Sequence, residues 1–166
     1  MRVIGVDPST VATGWGVLDG GVPHLRWVAH GVVRCHGAVS RRLARLHSEI
    51  TRILIEHRPD YLSLEQGFAS SNIQAALRLG EARGVVLAAA GSLEIPVAEY
   101  APSTIKLAVT GDGRATKAQV QLMVQRLLAL PEPPAEDAAD ALAAALCHLQ
   151  SYKLVSKLGQ RTLRRG

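Results

Sequence analysis

The sequence predicts an α/β fold in which a mixed five-stranded sheet carries helices on both faces. Three short apolar segments come first and are joined by turns, a pattern typical of an antiparallel meander. Two further strands then alternate with helical segments, which is typical of parallel strands joined by crossover helices. With 166 residues, the chain has the usual size of one domain with its own core.

The predicted strands are short apolar runs bounded by turn residues. A turn at Pro8-Ser9-Thr10 separates the first two strands, and a hairpin turn at Gly20-Gly21 separates the second from the third. The last two strands each follow a helical segment. In chain order the five strands are Arg2–Val6, Gly14–Leu18, His24–Val33, Tyr61–Leu64 and Pro96–Tyr100.

The predicted helices lie between and after these strands. The first begins with Ser40 as its N-cap and ends before Pro59, and its apolar side chains recur at nearly helical spacing. The second and the last are rich in alanine. The later helical segments are Ile73–Ala90, Ser103–Ala108, Thr116–Leu128 and Glu136 to about Tyr152.

The charge distribution divides the chain into a neutral body and a basic C-terminus. Lys153, Lys157, Arg161, Arg164 and Arg165 follow Tyr152 without any acid. The remaining 14 basic residues match 14 acidic ones. We therefore predict one folded domain over residues 1–152 and a basic tail over residues 153–166. Such a tail either binds a polyanion through counterion release or is a solvated terminus.

Four carboxylates stand at the ends of apolar elements. Asp7 follows the first predicted strand and Glu65 follows the fourth, so parallel pairing of these strands would bring both to one edge of the sheet. Asp137 and Asp140 open the last helix and share one helical face. Taken singly, Asp7 is also a common turn residue and Asp137 a common helix-start residue.

The lack of nearby cations favours a metal site. No Lys or Arg lies within one helical turn of Asp140, although the surrounding alanine-rich helix should be buried. Mg²⁺ and Mn²⁺ prefer oxygen ligands, and two such ions can bind the attacking water and the leaving oxygen of a phosphodiester. Carboxylates for metals and basic charge for a polyanion together indicate a nuclease.

Four segments in this order resemble the RuvC family of Holliday junction endonucleases, and the resemblance runs from residue 2 to about residue 150. The first segment comprises Ile4-Gly5-Val6-Asp7-Pro8 and Thr13-Gly14-Trp15-Gly16-Val17. The others are Leu64-Glu65-Gln66-Gly67-Phe68, Leu79-Gly80-Glu81-Ala82-Arg83-Gly84, and the run from Ala135 to Ala143 that contains Asp137 and Asp140. Ser9 and Gly67 depart from the family pattern.

The resemblance implies an RNase H-like fold and a homodimer that cuts two strands of a four-way DNA junction. It implies that Asp7, Glu65, Asp137 and Asp140 hold two Mg²⁺ ions, with Mn²⁺ as an alternative, and that Lys117 acts near the scissile phosphate. The products would be nicks with 5′-phosphate and 3′-hydroxyl ends. The resemblance also implies a RuvA–RuvB branch-migration complex as partner.

A second set of residues is predicted to contact DNA. Phe68 is the one Phe of the chain and lies in a loop of small polar residues, where it either stacks on a base or anchors the following helix. The resemblance places Lys106 and Lys117 near the phosphate, although a surface lysine is commonly only solvated. The predicted DNA-contacting set is Phe68, Asn72, Arg78, Lys106 and Lys117.

Three other functions remain as alternatives. A non-catalytic junction-binding module and a related RNase H-like nuclease acting on RNA would share most of these features. The residues around Asp7 also resemble the phosphate loop of actin-like ATPases and sugar kinases, but those proteins need two such domains. We also predict a cytoplasmic protein. The chain has two distant cysteines, Cys35 and Cys147, and no recognisable signal or membrane segment.

Overall fold

The described residues form ten secondary-structure elements. The computed structural model describes residues 1–20, 24–66 and 72–163, with side chains described as far as Tyr152. The strands are β1 (Arg2–Asp7), β2 (Ala12–Asp19), β3 (Arg26–Arg34), β4 (Tyr61–Glu65) and β5 (Val97–Tyr100). The helices are α1 (Val39–His57), α2 (Ile73–Ser92), α3 (Pro102–Thr110), α4 (Lys117–Leu127) and α5 (Glu136–Leu163).

The five strands form one mixed sheet with the order β3-β2-β1-β4-β5. β1 to β3 pair antiparallel, whereas β4 pairs parallel with β1, and β5 pairs parallel with β4. The predicted meander and the predicted parallel half of the sheet are both confirmed. Because β1 and β4 run in the same direction, their last residues lie at the same edge of the sheet.

The two faces of the sheet carry separate hydrophobic cores. Val3 and Leu18 point to one face and pack with buried residues of α3, α4 and α5. Ile4 and Val6 point to the other face and pack with α1 and α2. This alternation follows from the two-residue period of a strand, which sends neighbouring side chains to opposite faces. Helices on both faces are thus confirmed.

Helix α5 lies directly on the sheet because the strand residues beneath it are small. A Cβ atom at Gly5 would fall on the carbonyl oxygen of Ala141, so only glycine permits this approach. Next to it, the buried hydroxyl of Ser63 donates a hydrogen bond of 2.8 Å to the carbonyl oxygen of Ala144. The alanines of α5 complete the fit, since Ala138, Ala141 and Ala145 have no exposed surface.

Two predicted helix ends are wrong. The N-cap of α1 is Ala38 rather than Ser40, because helical geometry begins as soon as the chain leaves the left-handed backbone of Gly37. Helix α5 continues to Leu163 instead of ending near Tyr152, since no proline follows and Lys, Leu, Gln and Arg favour helix. The other predicted ends lie within two residues of the observed ones.

Candidate active site

Asp7 and Glu65 are the last residues of two neighbouring parallel strands. Asp7 ends β1 and Glu65 ends β4, and Val6 pairs with Leu64 directly before them. Both side chains are partly buried. The sequence-based prediction that they emerge at one edge of the sheet is therefore confirmed by the strand register.

The start of α5 brings Asp137 and Asp140 to the same edge. Gly14 pairs with Asp7 across β1 and β2, and a Cβ atom at Gly14 would fall on the carbonyl oxygen of Asp137. Because Gly14 has no side chain, the first turn of α5 can pack against β2, directly beside the residue that pairs with Asp7. Both aspartates are partly buried there.

Electrostatic repulsion is concentrated on Asp7. Burial, together with the charges of Asp140, Glu65 and Asp137, raises the pKa of Asp7 to about 7, although Lys117 lowers it. Burial and then the charge of Asp140 raise the pKa of Glu65. Burial also raises the pKa of Asp140, against the opposite effect of Lys117. The four carboxylates therefore share one electrostatic environment.

Lys117, the first residue of α4, enters this environment from the side. Its ammonium group lies 2.7 Å from Glu136 Oε1 and 3.5 Å from Asp140 Oδ2. The hydrogen bond to Glu136 is the main cause that raises the pKa of Lys117. Sequence reasoning selected Lys117 but missed Glu136 as its partner; the only signal was that Glu136 stands four residues before Asp140.

Two further basic residues act on Glu65. Lys106 on α3 is close enough to lower the pKa of Glu65. Arg83 on α2 donates a hydrogen bond of 2.7 Å to the backbone carbonyl of Glu65 and forms a 2.5 Å ion pair with Glu99 on β5. Arg83 therefore ties the end of β4 to β5. Sequence reasoning noted Arg83 within a motif and gave it no role.

The donor chemistry of the site fits a hard divalent cation. All four side chains are carboxylates, and their mutual repulsion is the condition that such a cation relieves. Across residues 1–20, 24–66 and 72–163, no three His, Cys, Asp or Glu side chains already form a compact metal-binding group. The oxygen donors are thus present at one edge of the sheet.

The predicted DNA-contacting residues have different surroundings. Asn72 is the N-cap of α2 and accepts a hydrogen bond of 3.2 Å from the amide of Ala75. Arg78, in the next turn, forms a 3.3 Å ion pair with Glu81 and is half-exposed. Phe68 and Gly67 lie outside the described residues. No contact in the described part of the chain tests a role in DNA binding for this set.

The turn after Asp7 is closed by hydroxyl groups. Ser9, which departs from the family pattern, accepts a 3.2 Å hydrogen bond from the amide of Val11. The buried hydroxyl of Thr13 donates to the carbonyl of Ser9 at 2.7 Å and accepts from its amide at 3.0 Å. Ser9 therefore supplies the turn with its own side-chain hydrogen bonds.

Comparison with known proteins assigns this arrangement to a family. A family model described as crossover junction endodeoxyribonuclease RuvC matches residues 3–148. The chain belongs to the RuvC family. The crossover junction endodeoxyribonuclease RuvC of Thermomicrobium roseum is 49% identical over 165 residues, which cover 98% of this chain and 100% of that protein. The RuvC of Halorhodospira halophila is 48% identical and covers 89% of each chain.

Solved structures agree with this membership of the RuvC family. The structure of T. thermophilus RuvC in complex with a Holliday junction substrate has a TM-score of 0.84 and 35% identity, covering 89% of this chain and 92% of that one. The fowlpox virus resolvase, at 14% identity and a TM-score of 0.58, shares the fold. The chain is accordingly a crossover junction endodeoxyribonuclease with an RNase H-like fold, from a family of metal-dependent nucleases.

Two further observations concern the whole chain. Within the described residues, no helix is long and apolar enough to cross a membrane. Cys35 and Cys147 are both free thiols and both buried. Burial raises the pKa of the Cys147 thiol to about 11, so this group stays protonated at neutral pH. Neither cysteine is part of the site.

Proposed function

We propose that Asp7, Glu65, Asp137 and Asp140 are the catalytic carboxylates with which this member of the RuvC family cuts four-way DNA junctions. The environment of Asp7 carries the proposal. Burial and three neighbouring carboxylates raise its pKa to about 7, and Lys117 offsets only part of that effect. A partly buried cluster of carboxylates whose repulsion is only partly offset by lysines suits metal-dependent hydrolysis of a phosphodiester.

The proposed cofactors are two Mg²⁺ ions, with Mn²⁺ as an acceptable substitute because both ions accept all-oxygen ligands. Asp7 is affected by all three other carboxylates, so it would be the ligand shared by both ions. Glu65 would complete one site, and Asp137 with Asp140 the other. When bound, the ions supply an activated water and stabilise the leaving 3′ oxygen.

The lysines of the site would act on the substrate. Lys117 is two-thirds exposed and can exchange its contact with Glu136 for the scissile phosphate. There it would offset the negative charge that develops in the transition state. Lys106, beside Glu65, would hold the neighbouring phosphate. Cutting in this way yields a 5′-phosphate and a 3′-hydroxyl.

We also propose that the chain acts as a homodimer, which would place two sites symmetrically for paired nicks. The first half of α2 supports this proposal. Ile73 and Leu77 are 74% and 58% exposed, and Gly80 and Gly84 continue the same helical stripe with open space above them. An apolar stripe of this kind on a surface helix suits burial against a second copy.

The remaining partner proposals rest on the substrate and on the family. Four-way junction DNA would be contacted by Phe68, Asn72, Arg78, Lys106 and Lys117. A RuvA–RuvB complex would deliver the junction, and the cytoplasm, where chromosomal DNA is accessible, would be the site of action. The basic residues after Tyr152 would add a sequence-independent attraction to DNA.

A matched pair of variants tests the site. Glu65→Gln should lower the rate of junction cutting at least about 10³-fold while junction binding in EDTA stays unchanged, because the substitution removes a metal ligand and no basic group. Glu132→Gln changes an exposed carboxylate before α5 and should cut like the unmodified protein. Full cutting by Glu65→Gln would exclude the proposed site.

A further inference from the structure

Four arginines gather where β3 ends and α1 begins, and they form the arginine cluster Arg34, Arg41, Arg42 and Arg45. Arg34, Arg41 and Arg45 are exposed, and Arg42 is partly buried. Arg41 and Arg45 stand one helical turn apart on α1. Arg34 and Arg45 line the same cleft between β3 and α1, and both Arg42 and Arg45 are near enough to lower the pKa of the Cys35 thiol.

The arginine cluster carries positive charge that the rest of the protein does not neutralise. None of its members has an ion pair within the described residues, and the buried Nε of Arg42 has no hydrogen-bond partner there. Five other arginines have carboxylate partners, namely Arg2, Arg26, Arg52, Arg78 and Arg83. Within the described residues, Arg58, Arg114 and Arg126 also lack an ion pair, but they stand singly in the sequence. An unneutralised cluster of guanidinium groups suits a multiply charged anion.

The cleft provides space for such an anion. Its volume is about 240 Å³, and Arg34 and Arg45 lie on its walls together with Arg52, Glu49 and Trp15. Glu49 is the one carboxylate of this lining, and it is already paired with Arg52 at 3.1 Å. The described lining therefore includes two arginines, Arg34 and Arg45, that form no ion pair within the described residues.

The sheet register sets the distance from the arginine cluster to the active site. Asp7 pairs with Gly14, and Gly14 pairs with Val32, two residues before Arg34. Arg34 on β3 is two strands away from Asp7 on β1 and two residues further along the strand direction. These two offsets together place its backbone roughly 12 Å from that of Asp7. B-DNA carries a phosphate about every 3.4 Å along each strand, so the same duplex can span both places.

We propose that the arginine cluster binds the phosphate backbone of a junction arm, within a few base pairs of the cut site. This inference rests on the proposed function, because it takes the DNA to be cut at Asp7. Contacts of this type hold the arm in position without reading its sequence. The arginine cluster adds affinity and orientation and takes no part in breaking the bond.

The test is junction binding in EDTA as a function of salt concentration. For the full-length Arg34→Gln/Arg45→Gln variant we expect about tenfold weaker binding and a salt slope smaller by about two. Arg34→Lys/Arg45→Lys keeps the charges and should retain most of the binding affinity and most of the salt slope. Arg126→Gln, which changes an exposed arginine near the end of α4, serves as the matched control.

Cutting assays run in parallel separate this inference from the proposed function. With Mg²⁺ and saturating enzyme, the Arg34→Gln/Arg45→Gln variant should nick the bound junction at the unmodified rate. Unchanged affinity and salt slope in the double Gln variant would overturn the role of the arginine cluster, even if the unmodified protein cuts normally. Absence of metal-dependent cutting by the unmodified protein would instead overturn the proposed function.

Discussion

Asp7 occupies the centre of the carboxylate site, and its ionisation is sensitive to pH near neutrality. Burial and three other carboxylates raise its pKa to about 7, so the metal-free protein takes up a proton there as the pH falls through that region. A bound divalent cation needs the deprotonated form. Metal binding and proton release should therefore be coupled at this residue.

We predict that Mg²⁺ affinity rises as pH increases through about 7. Below that pH, Asp7 must lose a proton to bind the ion, so the affinity should fall about tenfold per pH unit. Calorimetric titration of the protein alone with MgCl₂ measures this. Asp7→Asn should bind Mg²⁺ more weakly and without an inflection near pH 7. An affinity of the unmodified protein that does not change between about pH 6 and 8 would contradict the assignment.

Asp19 gives a second pH dependence, at the opposite end of β2. Hydrogen bonding to Arg2, reinforced by Arg26, lowers the pKa of Asp19 to about 2 from 3.8. Because the folded-state pKa is lowered, this contribution to stability is complete above pH 3.8 and is lost as pH falls toward 2. The position of Asp19 opposite Arg2 in the sheet register explains the contact.

Asp19→Asn should therefore lower the free energy of unfolding by about 1–2 kcal/mol at pH 6, an amount reduced for solvent screening of the partly exposed pair. The difference from the unmodified protein should disappear near pH 2. Urea unfolding at several pH values measures it, with Glu132→Gln as the neutral control. A difference that persists unchanged at pH 2 would show that the ionised form of Asp19 is not the source of the added stability.

The four carboxylates could be predicted from the sequence, whereas their neighbours could not. Asp7 and Glu65 end apolar runs, and their meeting depends only on parallel pairing of two strands. The ion pair of Lys117 with Glu136 depends on how α4 packs beside α5. The bond from Arg83 to Glu65 likewise depends on the packing of α2. Such contacts follow from tertiary packing, which local patterns do not specify.

Helix α5 shows how an element positions a site through the absence of side chains. Gly14 leaves room for the carbonyl of Asp137, and Gly5 leaves room for that of Ala141. The helix can therefore bring Asp137 and Asp140 to the edge where β1 ends. Any added atom beneath α5 should push these aspartates away from Asp7.

Gly14→Ala should lower both stability and cutting. The new methyl group meets backbone atoms that cannot move alone, so we expect a loss of about 1–3 kcal/mol in the free energy of unfolding. Gly91→Ala on α2 has open space and should stabilise the protein by up to about 1 kcal/mol. Thermal melting measures the stability of both variants, and nicking rates measure their activity. Normal cutting by a destabilised Gly14→Ala variant would show that Gly14 does not position the aspartates of α5.

Element type was easier to predict than element ends. The alternation of strands and helices followed from apolar periodicity, whereas the strand order β3-β2-β1-β4-β5 did not, because the neighbour of β4 in the sheet depends on tertiary packing. The N-cap of α1 depended instead on the left-handed backbone of Gly37, and Ala38 needs no side-chain oxygen. Helix α5 continued because nothing in residues 153–163 interrupts it strongly.

The whole molecule presents an apolar stripe on α2 that a second copy would cover. We predict that the protein is a dimer and that Leu77→Glu makes it a monomer, because the substitution would bury a charge in the interface. Leu122→Glu, at an exposed leucine of α4, is the matched control and should stay dimeric. Sedimentation measures both, and a dimeric Leu77→Glu variant would exclude this stripe as the interface.

We propose above that the carboxylates at the carboxyl edge of β1 and β4 cut four-way junctions. The most direct measurement compares a synthetic four-way junction with a linear duplex of the same sequence, in Mg²⁺, Mn²⁺ and EDTA. We predict paired symmetric nicks in the junction alone, which EDTA and Asp7→Asn both abolish. Equal cutting of the linear duplex, or cutting that survives Asp7→Asn, would contradict the claim.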